Sequence, residues 1–200
     1  MAPRHLAGRP VGRGKAAPRI NAELSARDRR FAIVASRFND FVVRSLVRGA
    51  QTELRTRGAA PRDVFLARVP GAFEIPAVAL RLARTRKFDA VICLGAVIRG
   101  DTPHFDFVAG EAARGIAAAS LDGETPVIFG VLTTNTVEQA EERARTDRLN
   151  TGAAAARAAI EMAELHERIG QFEQHGGAEN ARTSGVLKSE GRQRRKRATR

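Results

Sequence analysis

Ala90-Val91-Ile92-Cys93-Leu94-Gly95-Ala96-Val97 is apolar at every position. A half-exposed strand alternates apolar and polar residues, whereas a strand covered on both faces reads as an unbroken apolar run. The segment is therefore expected to be the central strand of a parallel sheet. Parallel strands need crossover helices between them, and the flanking sequence supplies them. Upstream, Phe31-Ala32-Ile33-Val34-Ala35 reads as a short buried strand. Asp40 to Arg57 places Phe41, Val42, Leu46, Ala50 and Leu54 at roughly helical spacing, and Gly58 closes that helix. Val64 to Val69 is a second strand, and Pro76 to Arg86 a helix with proline near its first turn. Downstream, Pro103 opens a helix reaching about Ser120, and Pro126 to Leu132 forms a fourth strand. Thr136 caps a helix with Glu138 and Gln139 in its first turn, and an Ala-rich helix spans about Gly152 to Glu167. Four strands alternating with helices predict an α/β domain: a four-stranded parallel sheet with helices on both faces.

The 200 residues correspond to one domain with tails. The net charge is +12, and 30 of the 34 basic residues are arginine. That charge sits at the ends: residues 1–30 carry a net +6, residues 166–200 a net +5, and the middle only +1. A basic core would suggest nucleic acid, but this core is nearly neutral. The expected organisation is a basic, disordered extension over 1–30, a folded domain over 31–167 and a basic, disordered tail over 168–200. The tail runs through Gly176-Gly177 to Arg192-Gln193-Arg194-Arg195-Lys196-Arg197. It is either simply solvated or a contact for RNA, a membrane surface or an acidic partner; no aromatic residues interleave to stack on bases. The N-terminal stretch lacks the apolar segment of a signal peptide, and its only serine is Ser25, so a cytoplasmic location is expected. No apolar run approaches the ~18 residues of a membrane span. One cysteine and four scattered histidines argue against a disulfide framework or a structural metal site.

In open parallel sheets, ligands bind at the carboxyl ends of the strands. After the first strand stands Phe38, either a core side chain or a platform for a flat heterocycle. After the second, Pro70-Gly71-Ala72-Phe73-Glu74-Ile75-Pro76 sets up a helix start. There Glu74 either favours the helix dipole or accepts hydrogen bonds from ligand hydroxyls. After the third, Gly100 permits close backbone approach, and the amides of Asp101 and Thr102 with the Thr102 hydroxyl suit an anion. His104 follows as a structural residue or a proton shuttle. Asp106 is not expected to orient it, since residues two apart on a helix do not face each other. After the fourth strand comes Arg143, two turns into its helix. It either reaches a phosphate, including one on a neighbouring chain, or pairs with Asp147 at i+4. The pattern suits a small phosphorylated substrate and a flat ring. The P-loop lysine motif, the Gly-x-Gly-x-x-Gly fingerprint and the Gly-x-Ser-x-Gly elbow are all missing.

Together these segments resemble the lumazine synthase family of riboflavin biosynthesis. The resemblance rests on Ser36-Arg37-Phe38-Asn39, Gly71-Ala72-Phe73-Glu74-Ile75-Pro76, Gly95 through Asp106, and Phe129-Gly130-Val131-Leu132-Thr133-Thr134. Glu138-Gln139-Ala140, Glu142-Arg143-Ala144 and Ala159-Ile160-Glu161-Met162 extend it. It implies a flavodoxin-like three-layer sandwich, assembled as pentamers that some members build into icosahedral shells. The implied activity is that of a transferase. It condenses 5-amino-6-(ribitylamino)uracil with 3,4-dihydroxy-2-butanone 4-phosphate, through a Schiff base, to 6,7-dimethyl-8-ribityllumazine, releasing phosphate and water without metal or cofactor. Carried over by position, Phe38 stacks on the pyrimidine, and Ala72, Phe73 and Glu74 hold the ribityl chain. Ala96, Val97 and Ile98 line the pyrimidine pocket, Asp101 and Thr102 meet the phosphate, and His104 transfers protons. Phe129 and Arg143 come from the neighbouring subunit.

One stretch departs from the family pattern. Where many members read Ala-Gly-Thr-Lys-Ala-Gly-Asn-Lys-Gly, this chain has Ala144-Arg145-Thr146-Asp147-Arg148-Leu149-Asn150-Thr151-Gly152. Asp147 and Thr151 replace lysines, and Arg145 and Leu149 replace glycines. The competing reading on the same fold is a non-catalytic scaffold: a flavin-like ligand binder, or a shell whose Arg-rich tails recruit nucleic acid or acidic partners.

Overall fold

The computed structural model describes residues 24–122, 125–145 and 150–197, with side chains through 174. Four strands form one all-parallel sheet: β1 (Phe31–Ser36), β2 (Val64–Val69), β3 (Ala90–Ile98) and β4 (Val127–Thr134). The order across the sheet is β2-β1-β3-β4, with Phe31 beside both Val64 and Ala90, and Cys93 beside Phe129. Five helices cover it: α1 (Asp40–Thr56), α2 (Ile75–Ala83), α3 (His104–Asp122), α4 (Val137–Ala144) and α5 (Thr151–Arg197). The apolar β3 segment is indeed central and buried from Ala90 to Val97.

Strand alternation sorts the core into two layers. Phe31, Ile33 and Ala35 of β1, with Ile92, Leu94 and Ala96 of β3, pack under α1, α4 and α5. Ala32 and Val34, with Val91, Cys93 and Val97, pack under α2 and α3. The result is the three-layer α/β sandwich expected from the sequence. Cys93 lies buried in β3, and burial pushes its thiol pKa well above the ordinary value. No helix among the described residues is long and apolar enough to cross a membrane.

Helices α1 and α5 meet where glycines allow their backbones to touch. At Gly152, an added Cβ would stand 2.0 Å from the Leu46 carbonyl oxygen. At Gly49, it would stand 2.1 Å from Asn150 Oδ1. Asn150 is buried and fully used. Its Nδ2 donates to the carbonyls of Ala144 (2.6 Å) and Ser45 (3.3 Å), and its Oδ1 accepts from the Ala153 amide (3.0 Å). This side chain caps α5 and ties it to the end of α4.

Three differences from the sequence reading at element boundaries have a clear physical reason. Helix α2 stops at Ala83 rather than Arg86, because Arg86 takes a left-handed φ of 54° and the last amides close back onto Leu80, Leu82 and Ala83. Strand β4 runs on to Thr134, since its partner β3 is long enough to pair Ile98 with it. Helix α5 was expected to end near Glu167, but its backbone is helical through Arg197. No proline follows Pro126 to stop it. Glu164 pairs with Arg168, and Gln171 Nε2 donates to Glu167 at 3.4 Å, supporting the helix one turn apart. Gly170, Gly176, Gly177, Gly185 and Gly191, each unfavourable by ~1 kcal/mol in a helix interior, do not break it.

The expected disorder over 1–30 falls mostly on residues 1–23, outside the described residues. The final part is anchored instead. Ala26 is fully buried and its amide donates to the Arg57 carbonyl at 2.9 Å. Arg29 bridges Glu164 and Glu167 of α5. Arg168 first and Arg29 with it hold the Glu164 carboxyl below its ordinary value of 4.5, and Arg68 does the same for Asp40. Such a carboxylate adds stability that is complete above its unfolded pKa and is lost as pH falls through the folded one. The melting temperature is therefore expected to hold near neutrality and to fall below roughly pH 4.5. A melting temperature unchanged down to about pH 3 would contradict this.

Candidate active site

The carboxyl ends of β1, β2 and β3 open onto a cleft of about 750 Å³, a size that accommodates a ligand of a few rings and a side chain. Each wall comes from a turn that follows a strand.

The first wall follows β1. Phe38 is 71% exposed and lines the cleft, so it is not a core side chain. Its amide donates to the Pro70 carbonyl at 3.0 Å, and the Arg37 amide to Val69 at 2.8 Å, pinning this turn to the end of β2. Asn39 makes the turn by adopting φ 57°, a conformation its short polar side chain tolerates. Its Nδ2 donates to the Ala96 carbonyl at 2.9 Å, linking the Phe38 turn to β3.

The second wall follows β2. Ala72 is buried, while Phe73 is 58% exposed at the rim. Glu74 Oε2 accepts from the Gly71 amide at 2.8 Å, which braces the short 3-10 turn leading into α2. Glu74 therefore does the helix-start work and faces the cleft as well.

The third wall follows β3. Ala96, Val97 and Ile98 form its floor. Gly100, Thr102 and His104 continue it into the first turn of α3. His104 is exposed to the cleft. Asp101 lies between two lining residues without lining the cleft itself. Phe105, Phe107 and Val108 complete the apolar side. These three escaped the sequence reading, although two aromatics within three residues of His104 were a visible signal.

Asp106 does not orient His104. It takes both Nη groups of Arg99, at 2.9 and 3.2 Å, and those hydrogen bonds hold its carboxyl below the usual aspartate range.

Two expected residues lie elsewhere. Phe129, on β4, is 46% exposed and faces a shallow apolar groove against α3, beside Ile116 and Leu121. Arg143 sits on the exposed side of α4, where its Nη1 donates to the Gln139 carbonyl at 3.0 Å. Neither lines the cleft of its own chain. The alternative partner of Arg143, Asp147, and the altered residues 146–149 lie outside the described residues. Among the described residues, no group of three or more His, Cys, Asp or Glu side chains is placed to hold a metal ion.

The cleft thus offers an exposed aromatic ring, a carboxylate, a glycine-led turn into a helix, and a histidine at that helix start. Such a set can stack a planar ring, hold hydroxyls, receive an anion and move a proton.

A family model described as 6,7-dimethyl-8-ribityllumazine synthase matches residues 28–167. A protein of that name from Desulfosudis oleivorans is 54% identical over 148 residues, covering 74% of this chain and 94% of the relative. Another, from Desulfatibacillum aliphaticivorans, is 53% identical over 150 residues, covering 75% of this chain and 97% of the relative.

Proposed function

The chain belongs to the 6,7-dimethyl-8-ribityllumazine synthase family, and we infer from this that it is a transferase of riboflavin biosynthesis. It condenses 5-amino-6-(D-ribitylamino)uracil with 3,4-dihydroxy-2-butanone 4-phosphate to 6,7-dimethyl-8-ribityllumazine, releasing phosphate and water. The observation that carries this at the level of chemistry is the cleft, with Phe38, Glu74 and His104 on three walls of one cavity. The test is a product assay: purified protein with both substrates, followed by lumazine absorbance against the uncatalysed background. Turnover above background is expected, and none from a folded oligomer would overturn the assignment.

We propose the following roles. Phe38 stacks on the pyrimidine ring, over the floor of Ala96, Val97 and Ile98. Ala72, Phe73 and Glu74 hold the ribityl chain, Glu74 by accepting from its hydroxyls with the oxygen not committed to Gly71. The backbone amides of Asp101 and Thr102, with the Thr102 hydroxyl, receive the phosphate. His104 takes and returns protons as the amine attacks the ketone, as phosphate leaves and as the ring closes. Most of the rate comes from holding two reactants in register, a contribution of up to roughly 7–11 kcal/mol in ideal cases.

Phe129 and Arg143 serve the cleft of the neighbouring subunit in a homopentamer, with the protein in the cytoplasm. What supports the shared site is that both residues are exposed and stand away from their own cleft. Arg143→Ala is expected to raise KM for the butanone phosphate at least about tenfold, the loss of one charge-assisted contact, with little change in KM for the pyrimidine. At butanone phosphate concentrations well below KM, co-refolded Arg143→Ala and His104→Ala chains are expected to turn over faster than either variant alone, because some junctions then pair an intact His104 with an intact Arg143. An unchanged KM, or mixed oligomers no better than either variant alone, would contradict the shared site.

A further inference from the structure

Arg99 is the most heavily engaged polar side chain beside the cleft, yet it does not line it. Its Nη1 and Nη2 donate to the two carboxylate oxygens of Asp106 at 3.2 and 2.9 Å, a fork-to-fork pair. Its Nε donates to Asn135 Oδ1 at 3.2 Å. Its guanidinium stands 4.1 Å from the centroid of the Phe105 ring. Its backbone amide donates to the Thr134 carbonyl at 2.9 Å. The partners come from the first turn of α3 and from the connection between β4 and α4. Between Arg99 and Asp106 runs the segment that carries Thr102, His104 and Phe105 into the cleft wall.

We propose that Arg99 and Asp106 act as one positioning clamp that holds Thr102 and His104 in register for the reaction. This rests on the catalytic reading given above. Arg99 is not a second phosphate ligand, because its donors are committed to a carboxylate and an amide oxygen and its charge is compensated. Nor is the pair chiefly a stabiliser. Its side chains are 42% and 60% exposed, and ion pairs so placed add little to folding. The segment needs an external hold, however. Gly100, which joins β3 to α3, has no described atom within 4 Å of where a Cβ would stand, and glycine is the residue least restrained by its own backbone. The Phe38 and Glu74 walls belong to other turns and do not depend on the clamp.

Arg99→Gln and Asp106→Asn are therefore expected to keep the wild-type oligomer and a melting temperature within a few degrees. Each is expected to lower kcat on the order of tenfold or more, as misplaced catalytic groups do. KM for the pyrimidine substrate should stay within about twofold, since other walls hold it. The double variant should lose no more than the worse single, because the two residues form one unit. Arg99→Lys, which keeps the charge but not the fork, should recover only part of the rate. Amide exchange over residues 100–105 should speed up in both single variants without substrates present, on the order of tenfold. That readout does not depend on turnover. Absent turnover in the wild type overturns the functional reading, whereas unchanged exchange over 100–105 overturns the clamp. Wild-type kcat in both singles, additive losses in the double variant, or rates that merely follow a lowered melting temperature would overturn it too.

Discussion

Replacing His104 with alanine should slow lumazine formation by roughly 10²–10⁴-fold without abolishing it, the contribution of one well-placed proton-transfer group. His104 opens α3 and faces the cleft, with Thr102 two residues before it and the Phe38 wall completing the same cavity. Among the described residues, it is the only histidine lining that space. Its removal leaves the walls proposed to bind and align the two substrates, so positioning should sustain turnover above background. The loss should therefore fall on kcat, with both KM values moving only a few-fold. Because His104 is exposed, its truncation leaves no cavity in either core layer, and the melting temperature should stay at the wild-type value. Steady-state kinetics on a purified, assembled variant decides the matter. Wild-type rates would remove His104 from the mechanism, and a loss carried wholly by KM would make it a binding residue.

Gly152→Ala should be among the most damaging single-methyl changes in the fold. The new Cβ would stand 2.0 Å from the Leu46 carbonyl oxygen and 2.6 Å from its carbonyl carbon. Both are backbone atoms of α1, so no rotamer change relieves the clash; the two helices must move apart. Overpacking a tight core costs about 1–3 kcal/mol even where side chains can adjust, and here the upper end or more is expected. For a domain of this size, about 3 kcal/mol lowers the melting temperature by roughly 6–12 °C. Gly100→Ala is the matched control, since no described atom lies within 4 Å of its would-be Cβ and the fold should tolerate it. A Gly152→Ala protein that melts within a degree or two of wild type would show that α1 and α5 do not pack as closely as described.

Much of this architecture was legible because burial writes itself into composition. An unbroken apolar β3 admits few places other than the centre of a parallel sheet, and Gly58 and Thr136 mark helix ends through turn and cap chemistry that is local in sequence. Thr136 does accept from the Gln139 amide, and Gly58 does take a positive φ of 103°. The misread boundaries are those set by tertiary neighbours or by the lack of a stop. The left-handed Arg86 has no signature in residue type, β4 is lengthened by its partner strand, and α5 runs on through several glycines with no proline to stop it.

The site shows the same division. Phe38, Glu74 and His104 follow strand ends, and the topology alone brings them to one cleft. The Arg99–Asp106 pair crosses a strand-to-helix turn, so neither a period of two nor one of 3.6 points to it. The coupling of Asn39 to the Ala96 carbonyl depends equally on the strand order, which local sequence patterns do not encode. For Phe129 and Arg143, the residues alone say little about a partner; their place outside the cleft of their own chain is a property of the folded molecule.

The single thiol, sealed into the middle strand, makes the chain its own gauge of opening. With no other cysteine to react, any labelling of the native protein has to pass through an event that exposes Cys93, which lies flanked by β1 and β4 and covered by helices on both faces. Burial also keeps the group protonated and unreactive while the sheet is intact. Alkylation kinetics would thus read how often the central strand comes apart, separating fraying at the ends of the chain from breathing at its centre.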